Sequence, residues 1–396
     1  MTLTRLITLS VLAHFVFVSA RMTGSLYALQ NKASAFTVGV LMALFALVPM
    51  LLAVRAGRWL DAVGPWKPLA LGAGLIMAGI ALPALFAYAA TDVAPLLVMA
   101  CLVGTGAMLM QLTVQNLVGH QTEPAERATA FSWLAMGASI SGLTGPVASG
   151  FLIDGIGHRA TFAVLAVTAL AMPVLLWWHR AQLPSRTPTE APSVAPPLFD
   201  LFQFRAVRDV LIAGGLISMA WDLQTFMVPV YGTGIGLAAS QIGLVLGAFA
   251  SATFAIRLAM PWLARTFREW QVLTFTLAAA ALAFALMPLF ANLWALMACA
   301  FLLGLGLGSA QPNLLSLLHV HTPAGRVGEA LGVRTTIMNG SHVVLPLVFG
   351  AFGSVVGAAA VFWIMAAVLA AGGVFAGRRA GSRAHDPAPS SAEPPR

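Results

Sequence analysis

Charge is what this chain of 396 residues has least of: 9% are Asp, Glu, Lys or Arg, against 59% hydrophobic. Soluble domains carry about 25% charged residues. The deficit runs along the whole length, which excludes a large water-soluble domain. Lysine is limited to Lys32 and Lys67, an arginine bias that fits a GC-rich bacterial source. Cysteine is limited to Cys101 and Cys299, both in apolar runs, so neither a disulfide framework nor a metal motif can be built. Gly304, Gly306 and Gly308 have the spacing of a nucleotide loop but no strand before them. No nucleophile–base or metal constellation is readable, so neither an enzyme nor a cofactor is expected. The net charge of +8 would suit nucleic acid. The positives fall where membrane topology wants them, however, and no nucleic-acid partner is expected.

What fills the chain is long apolar runs. They fall at about 5–28, 36–56, 69–91, 94–118, 128–153, 161–179, 209–231, 239–263, 271–291, 293–318, 330–353 and 356–377. About 20 residues at a rise of 1.5 Å cross a bilayer core. The expected fold is therefore an all-α membrane protein with twelve transmembrane helices. Arg5, the apolar stretch after it and Val18-Ser19-Ala20 imitate a signal peptide. Cleavage there would remove a span that the pattern needs. The Pro-rich segment 181–208 reads as an extended linker whose end, LFDLFQF, forms a surface helix. It divides an N-terminal half, 1–180, from a C-terminal half, 209–378, followed by a disordered tail, 379–396.

Arg5, Arg55, Arg58, Lys67, Arg127, Arg180, Arg205, Arg208, Arg265, Arg268, Arg378 and Arg379 fall on one side of this topology. The opposite loops hold Lys32 and Arg159. The positive-inside rule then places both termini and the linker in the cytoplasm. The halves also repeat at an offset of 200. CLVGTGAMLMQ (101–111) matches FLLGLGLGSAQ (301–311), and Pro146, Gly150, Gly157, Ala160 and Phe162 match Pro346, Gly350, Gly357, Ala360 and Phe362. Two pseudo-symmetric six-helix halves around a midplane site are a transporter architecture.

Between spans two and three lies AGRWLDAVGPWKPL. Gly57 and Gly64 permit a tight turn and close helix approach, and Asp61 can accept hydrogen bonds. The segment resembles the loop signature of the major facilitator superfamily, with Gly57, Asp61 and Gly64 in register and Lys67 behind them. It departs at Ala62, where the family has arginine. The resemblance covers nearly the whole chain. It implies that spans one, four, seven and ten line a central cavity and that the loop holds the inside-closed state against the start of span eleven. GASISGLTGPVASG (137–150) is similar to the span-five motif of proton-coupled efflux antiporters, matching at Gly145, Pro146 and Gly150 and departing at Ser141 and Ser149. A small-residue packing face with a proline bend would read the same way.

Polar groups form stripes on these spans. Span one has Ser10, His14, Arg21 and Ser25; span four Gln111 and Gln115; span seven Ser218, Asp222 and Thr225. Span ten has Asn313, and span eleven Thr335, Asn339 and His342 with Arg334 beside them. An arginine within a span costs at least about 2.5 kcal/mol, so Arg21 needs a partner. Its depth, about 24 Å from Arg5, is similar to that of Asp222, and the two are expected to interact directly or through substrate or water. A static ion pair or snorkelling would also account for Arg21. Asp222 is the candidate proton carrier. Arg21, His14, Gln111, Gln115, Asn313, Asn339 and His342 are substrate or gate candidates, with Gly57, Asp61, Gly64, Lys67 and Arg334 at the cytoplasmic gate.

The expected function is a monomeric secondary transporter in a bacterial inner membrane, moving a small organic molecule by alternating access with proton-coupled efflux. Two deep arginines against one aspartate also support import of a small organic anion. A transporter-like receptor without flux is the third alternative.

Overall fold

In the computed structural model, which describes residues 2–85, 93–123, 126–183, 203–322 and 327–382, every regular element is helical. The helices are α1 (Leu3–Gln30), α2 (Ala35–Val63), α3 (Trp66–Leu85), α4 (Ala94–Gln121), α5 (Arg127–Trp178) and α6 (Arg205–Gly234). They continue with α7 (Ala239–Thr266), α8 (Glu269–Leu286), α9 (Leu293–His321), α10 (Val327–Val356) and α11 (Ala358–Ser382). All eleven are long and apolar enough to cross a membrane. Twelve spans emerge because α5, at 52 residues, is two spans joined at Gly157, which has φ +79°. Gly357, its partner in the repeat, has φ +85° and separates α10 from α11. A methyl group would meet nothing within 4 Å at either position. The left-handed backbone, and not crowding, is what calls for glycine there.

The repeat appears in the packing as paired contacts. Within the halves, a methyl group at Gly104 of α4 would lie 2.3 Å from the Phe45 carbonyl oxygen of α2, and one at Gly304 of α9 would lie 2.3 Å from that of Phe249 on α7. Between the halves, α2 packs on α10 and α5 on α7. A methyl group at Gly39 would lie 2.3 Å from the Pro346 carbonyl oxygen, and one at Gly243 would lie 2.5 Å from that of Pro146. Gly350 meets the Ala35 carbonyl, and Gly150 that of Ala239, in the same way. All four contacts sit at the end of the molecule away from the arginine-rich loops, where α2 and α7 begin. Backbones this close bring the two halves together at that end, with the dispersion gain that membrane helices depend on.

A hydrogen-bonded contact closes the same end. Asp154 of α5 accepts from the backbone N–H groups of Ala239 (3.1 Å) and Ser240 (2.8 Å) at the start of α7. Those N–H groups have no acceptor inside their own helix, and a carboxylate complements the positive end of the helix dipole. At the equivalent start of α2, Ser34 supplies the cap itself, accepting from Thr37 N–H at 3.1 Å.

At the arginine-rich end, Gly64 closes α2 with φ +76°, its N–H donating to the Leu60 carbonyl at 2.9 Å, as the turn in the loop motif requires. Gly57 has open space around it and mediates no close helix approach. α11 continues beyond the expected end at Arg378 to Ser382, and Arg379 Nη2 lies 2.7 Å from Asp209 Oδ2 at the start of α6. That carboxylate is 5% exposed, so it needs the cation, and the pairing accounts for the extra helical turn. The proposed surface helix LFDLFQF begins, and the tail from 383 onward lies, outside the described residues.

Gly39→Val and Gly243→Val each push a side chain onto the facing carbonyl. Overpacking costs about 1–3 kcal/mol, enough to shift the halves toward separation at that end about tenfold. A single Cys at position 240, with Cys101 and Cys299 replaced by alanine, should react with a maleimide about tenfold faster in these variants of the purified protein. Unchanged labelling would show that these contacts do not close the end.

Candidate functional site

A cavity of about 250 Å³ lies between the halves. It is lined from α1 by His14, Phe17, Val18, Arg21 and Met22, and from α2 by Met42. α5 contributes Ala138, Ser139, Gly142 and Pro146; α6 contributes Trp221, Thr225 and Pro229; α7 contributes Leu246, Phe249, Ala250, Thr253 and Arg257. The span-five motif builds one wall. A methyl group at Gly145 would fall 2.5 Å from Val18 Cγ2, so α5 rests directly on α1 there. Ser141 Oγ donates to the Val11 carbonyl at 3.0 Å, and Ser19 Oγ to that of Gly145 at 3.3 Å. Pro146 and Gly150, on the other side of α5, meet α7. The motif thus packs within one half and across to the other.

Arg21 stands on the cavity wall with few partners. Its Nε donates to Met42 Sδ at 3.4 Å, a weak acceptor, and its guanidinium lies 5.7 Å from the centre of the Phe17 ring. Asp222 and Arg21 are not ion-paired. The Asp222 carboxylate instead goes to α10, where His342 Nδ1 lies 2.5 Å from its Oδ1. Asp222 is 3% exposed and His342 36%. The second carboxylate oxygen of Asp222 has no hydrogen-bond partner. The buried Nδ1 of His14 has none either.

The remaining candidates divide by where their polar atoms go. Asn313 is buried and spends its amide N–H on the Ser309 carbonyl of its own helix, at 2.7 Å. Gln111 and Gln115 are exposed on α4 and Asn339 is half-buried on α10; none of them lines this cavity. Arg334 is half-buried, and its Nε has no partner. The Asp61 side chain proposed to meet it lies outside the described residues, while Lys67 is exposed. The structure therefore brings His14 and Arg21 to one cavity, and joins Asp222 to His342 beside it.

Arg257, with its partner Ser139, completes the site, and the sequence reading does not single out either. Arg257 lies on α7, facing the cavity, and its Nη1 donates to Ser139 Oγ of α5 at 2.8 Å, a bond between the halves. The signal was available: an arginine inside the apolar run 239–263, four residues after Thr253. The test that singled out Arg21 would have found it.

The sequence pattern of the Major Facilitator Superfamily matches residues 7–291 and 210–395. The class B tetracycline resistance protein of Escherichia coli is 24% identical over 325 residues, 78% of this chain and 77% of that protein. Among solved structures, a POT family transporter in complex with 5-aminolevulinic acid superposes with a TM-score of 0.78 at 13% identity, covering 96% of both chains. The nucleoside transporter NupG superposes with a TM-score of 0.76 at 13% identity, covering 95% of this chain and 99% of that one. At such identities the structures report the fold alone.

The Asp222–His342 contact is testable as a coupled pair. His342→Ala leaves a buried carboxylate without a donor. It should cost about 2–3 kcal/mol, less than for a fully buried pair because the imidazole is partly solvated. In an Asp222→Asn background the same change should cost under about 1 kcal/mol. Unfolding of the four purified proteins closes the double-mutant cycle; additive losses would show that the two side chains are not coupled.

Proposed function

The chain belongs to the Major Facilitator Superfamily, and from that premise we propose that it is a proton-coupled secondary transporter that exports a small organic molecule across a bacterial inner membrane. It is a membrane transporter and not an enzyme. The observation that carries the coupling is the buried carboxylate of Asp222, bound to His342 on one oxygen and open on the other, beside the cavity that Arg21 lines. A proton arriving at the open oxygen displaces no hydrogen bond. It removes the negative charge that faces Arg21 and weakens the hold on His342, so protonation changes the cavity and a contact between α6 and α10 together. Such a group answers the requirement that a driving ion bias one of two global states. Export is supported by the span-five motif and by the likeness to a tetracycline resistance protein. The arginine-rich end is taken as the cytoplasmic face.

A second reading follows from the sign of the charges. Protonating Asp222 leaves Arg21 less compensated, which strengthens the pull on an anion. Proton and anion would then bind together, the condition for uptake.

The test is a panel of growth-inhibition and accumulation assays in a bacterial host lacking its own pumps, with wild type or Asp222→Asn at matched membrane levels. Export predicts lower internal levels of some compounds with wild type and at least a tenfold loss of that effect, about 1.4 kcal/mol of coupling, in the variant. Raised internal levels with wild type would overturn export in favour of uptake. An unaffected Asp222→Asn protein would remove the coupling role.

A further inference from the structure

We propose that the cavity between the halves receives a small amphipathic organic anion, and that Arg257 is the residue that selects for its negative charge. This rests on the reading that the cavity is the substrate path and names the class of substrate; it holds for either direction of transport.

The argument begins with the charges on the wall. Arg21 and Arg257 both face the cavity, and no carboxylate is among its lining residues. A guanidinium has five N–H donors. Arg257 gives one to the neutral Ser139 hydroxyl, and Arg21 gives one to a thioether. Among the described residues neither has a carboxylate within 4 Å. Asp222, the nearby acid, is already held by His342. Cations at membrane depth are stable only when paired, hydrogen-bonded or wet. The cavity is therefore short of negative charge and of acceptors, which is what a carboxylate, sulfonate or phosphonate would supply, with the planar guanidinium matched to two oxygens at once.

The shape of the site narrows the class. Arg21 lies about 27 Å along α1 from the arginine-rich end, and Arg257 about 27 Å along α7 from the opposite end. On helices of 28 residues running in opposite senses, this puts the two cations roughly 12 Å apart in depth. Phe17, Trp221 and Phe249 also line the cavity, the last two edge to face with centroids 5.0 Å apart. A flat apolar body fits against these rings with its anionic head on a guanidinium. The volume of about 250 Å³ is at or below the lower bound of ordinary small-molecule sites, about 300 Å³, which suits one or two fused rings. The Arg257–Ser139 bond also joins the halves. An anion on Arg257 competes with Ser139 for Nη1, so occupancy of the site and a contact between the halves are linked.

The experiment uses the full-length protein in detergent and three probes of one shape: 2-naphthoate, 2-naphthamide and 2-naphthylmethylammonium. Calorimetric titration of wild type should give at least about tenfold tighter binding of the carboxylate than of the amide or the ammonium, as a charge-assisted bidentate contact implies. Arg257→Gln should abolish that preference while leaving the amide within about twofold, and Arg257→Lys should restore part of it. Ser139→Ala, which frees a donor without removing charge, should tighten naphthoate binding. This variant keeps the test decisive should Arg257→Gln fail to fold. Equal binding of the three probes, preference for the ammonium, no binding of naphthoate, or an Arg257→Gln protein with its preference intact would each overturn the proposal. Naphthoate preference without proton-driven flux would leave this site standing and remove the transport reading. Proton-driven flux of neutral and cationic compounds without that preference would do the reverse.

Discussion

Four missing side chains hold the two halves together at one end. Gly39 and Gly243 each let a helix rest on a carbonyl of the opposite half, and Gly150 and Gly350 return the contact. Helices in lipid gain little from burying apolar surface, because lipid is apolar already; close backbone approach and interhelical hydrogen bonds carry association instead. The same contact must also open if the halves are to alternate. Contacts built from glycine and backbone suit this, since separating them exposes no large apolar patch and strands no charge. The cavity, its two arginines and the bond from Arg257 to Ser139 follow from the halves meeting at this end and diverging around the centre.

Within that frame, electrostatics decides what the cavity can do. Charges at this depth interact more strongly than in water, and Arg21 and Arg257 both line the cavity with the Asp222–His342 pair beside it. Asp222 shares no hydrogen bond with Arg21, and Arg257 spends one donor on Ser139 of the other half. Arg257 and Ser139 come from different halves, so the bond between them crosses the interface in which the cavity lies.

The features of longest period were the most legible in the sequence. Twelve apolar runs, the repeat at 200 and the two glycines that break α5 from its continuation and α10 from α11 are patterns of spacing, and spacing survives without coordinates. On α1 the stripe puts His14 and Arg21 on one face, and both line the cavity. It was less informative where a polar group had a nearer use: Asn313 bonds to its own helix, and periodicity cannot say whether an amide faces a cavity or a carbonyl one turn back. Asp222 was singled out correctly as a deep acid, but its contact with His342 depends on how far α6 and α10 are rotated, which no sequence spacing states. Arg257 lies on α7, the eighth span, which the family resemblance does not count among the cavity-lining ones.

The repeat itself explains where function entered. The paired contacts match Ala35 with Ala239 and Gly39 with Gly243; carried along the sequence, that register (239 less 35, four more than in the later spans) aligns His14 with Ser218, Val18 with Asp222 and Arg21 with Thr225. Aligned in this way, one half presents the cation, Arg21, and the other the acid, Asp222. The caps differ in the same manner. Ser34 closes the start of α2 within its own half, while at the matching position Ala238 has no side-chain acceptor, and Asp154 of the other half serves the start of α7 instead. A symmetric shell supplies two halves that can rock about a common centre. Departures from the symmetry then tie a side chain of one half to a group of the other, as Asp154 is tied to the start of α7 and Arg257 to Ser139.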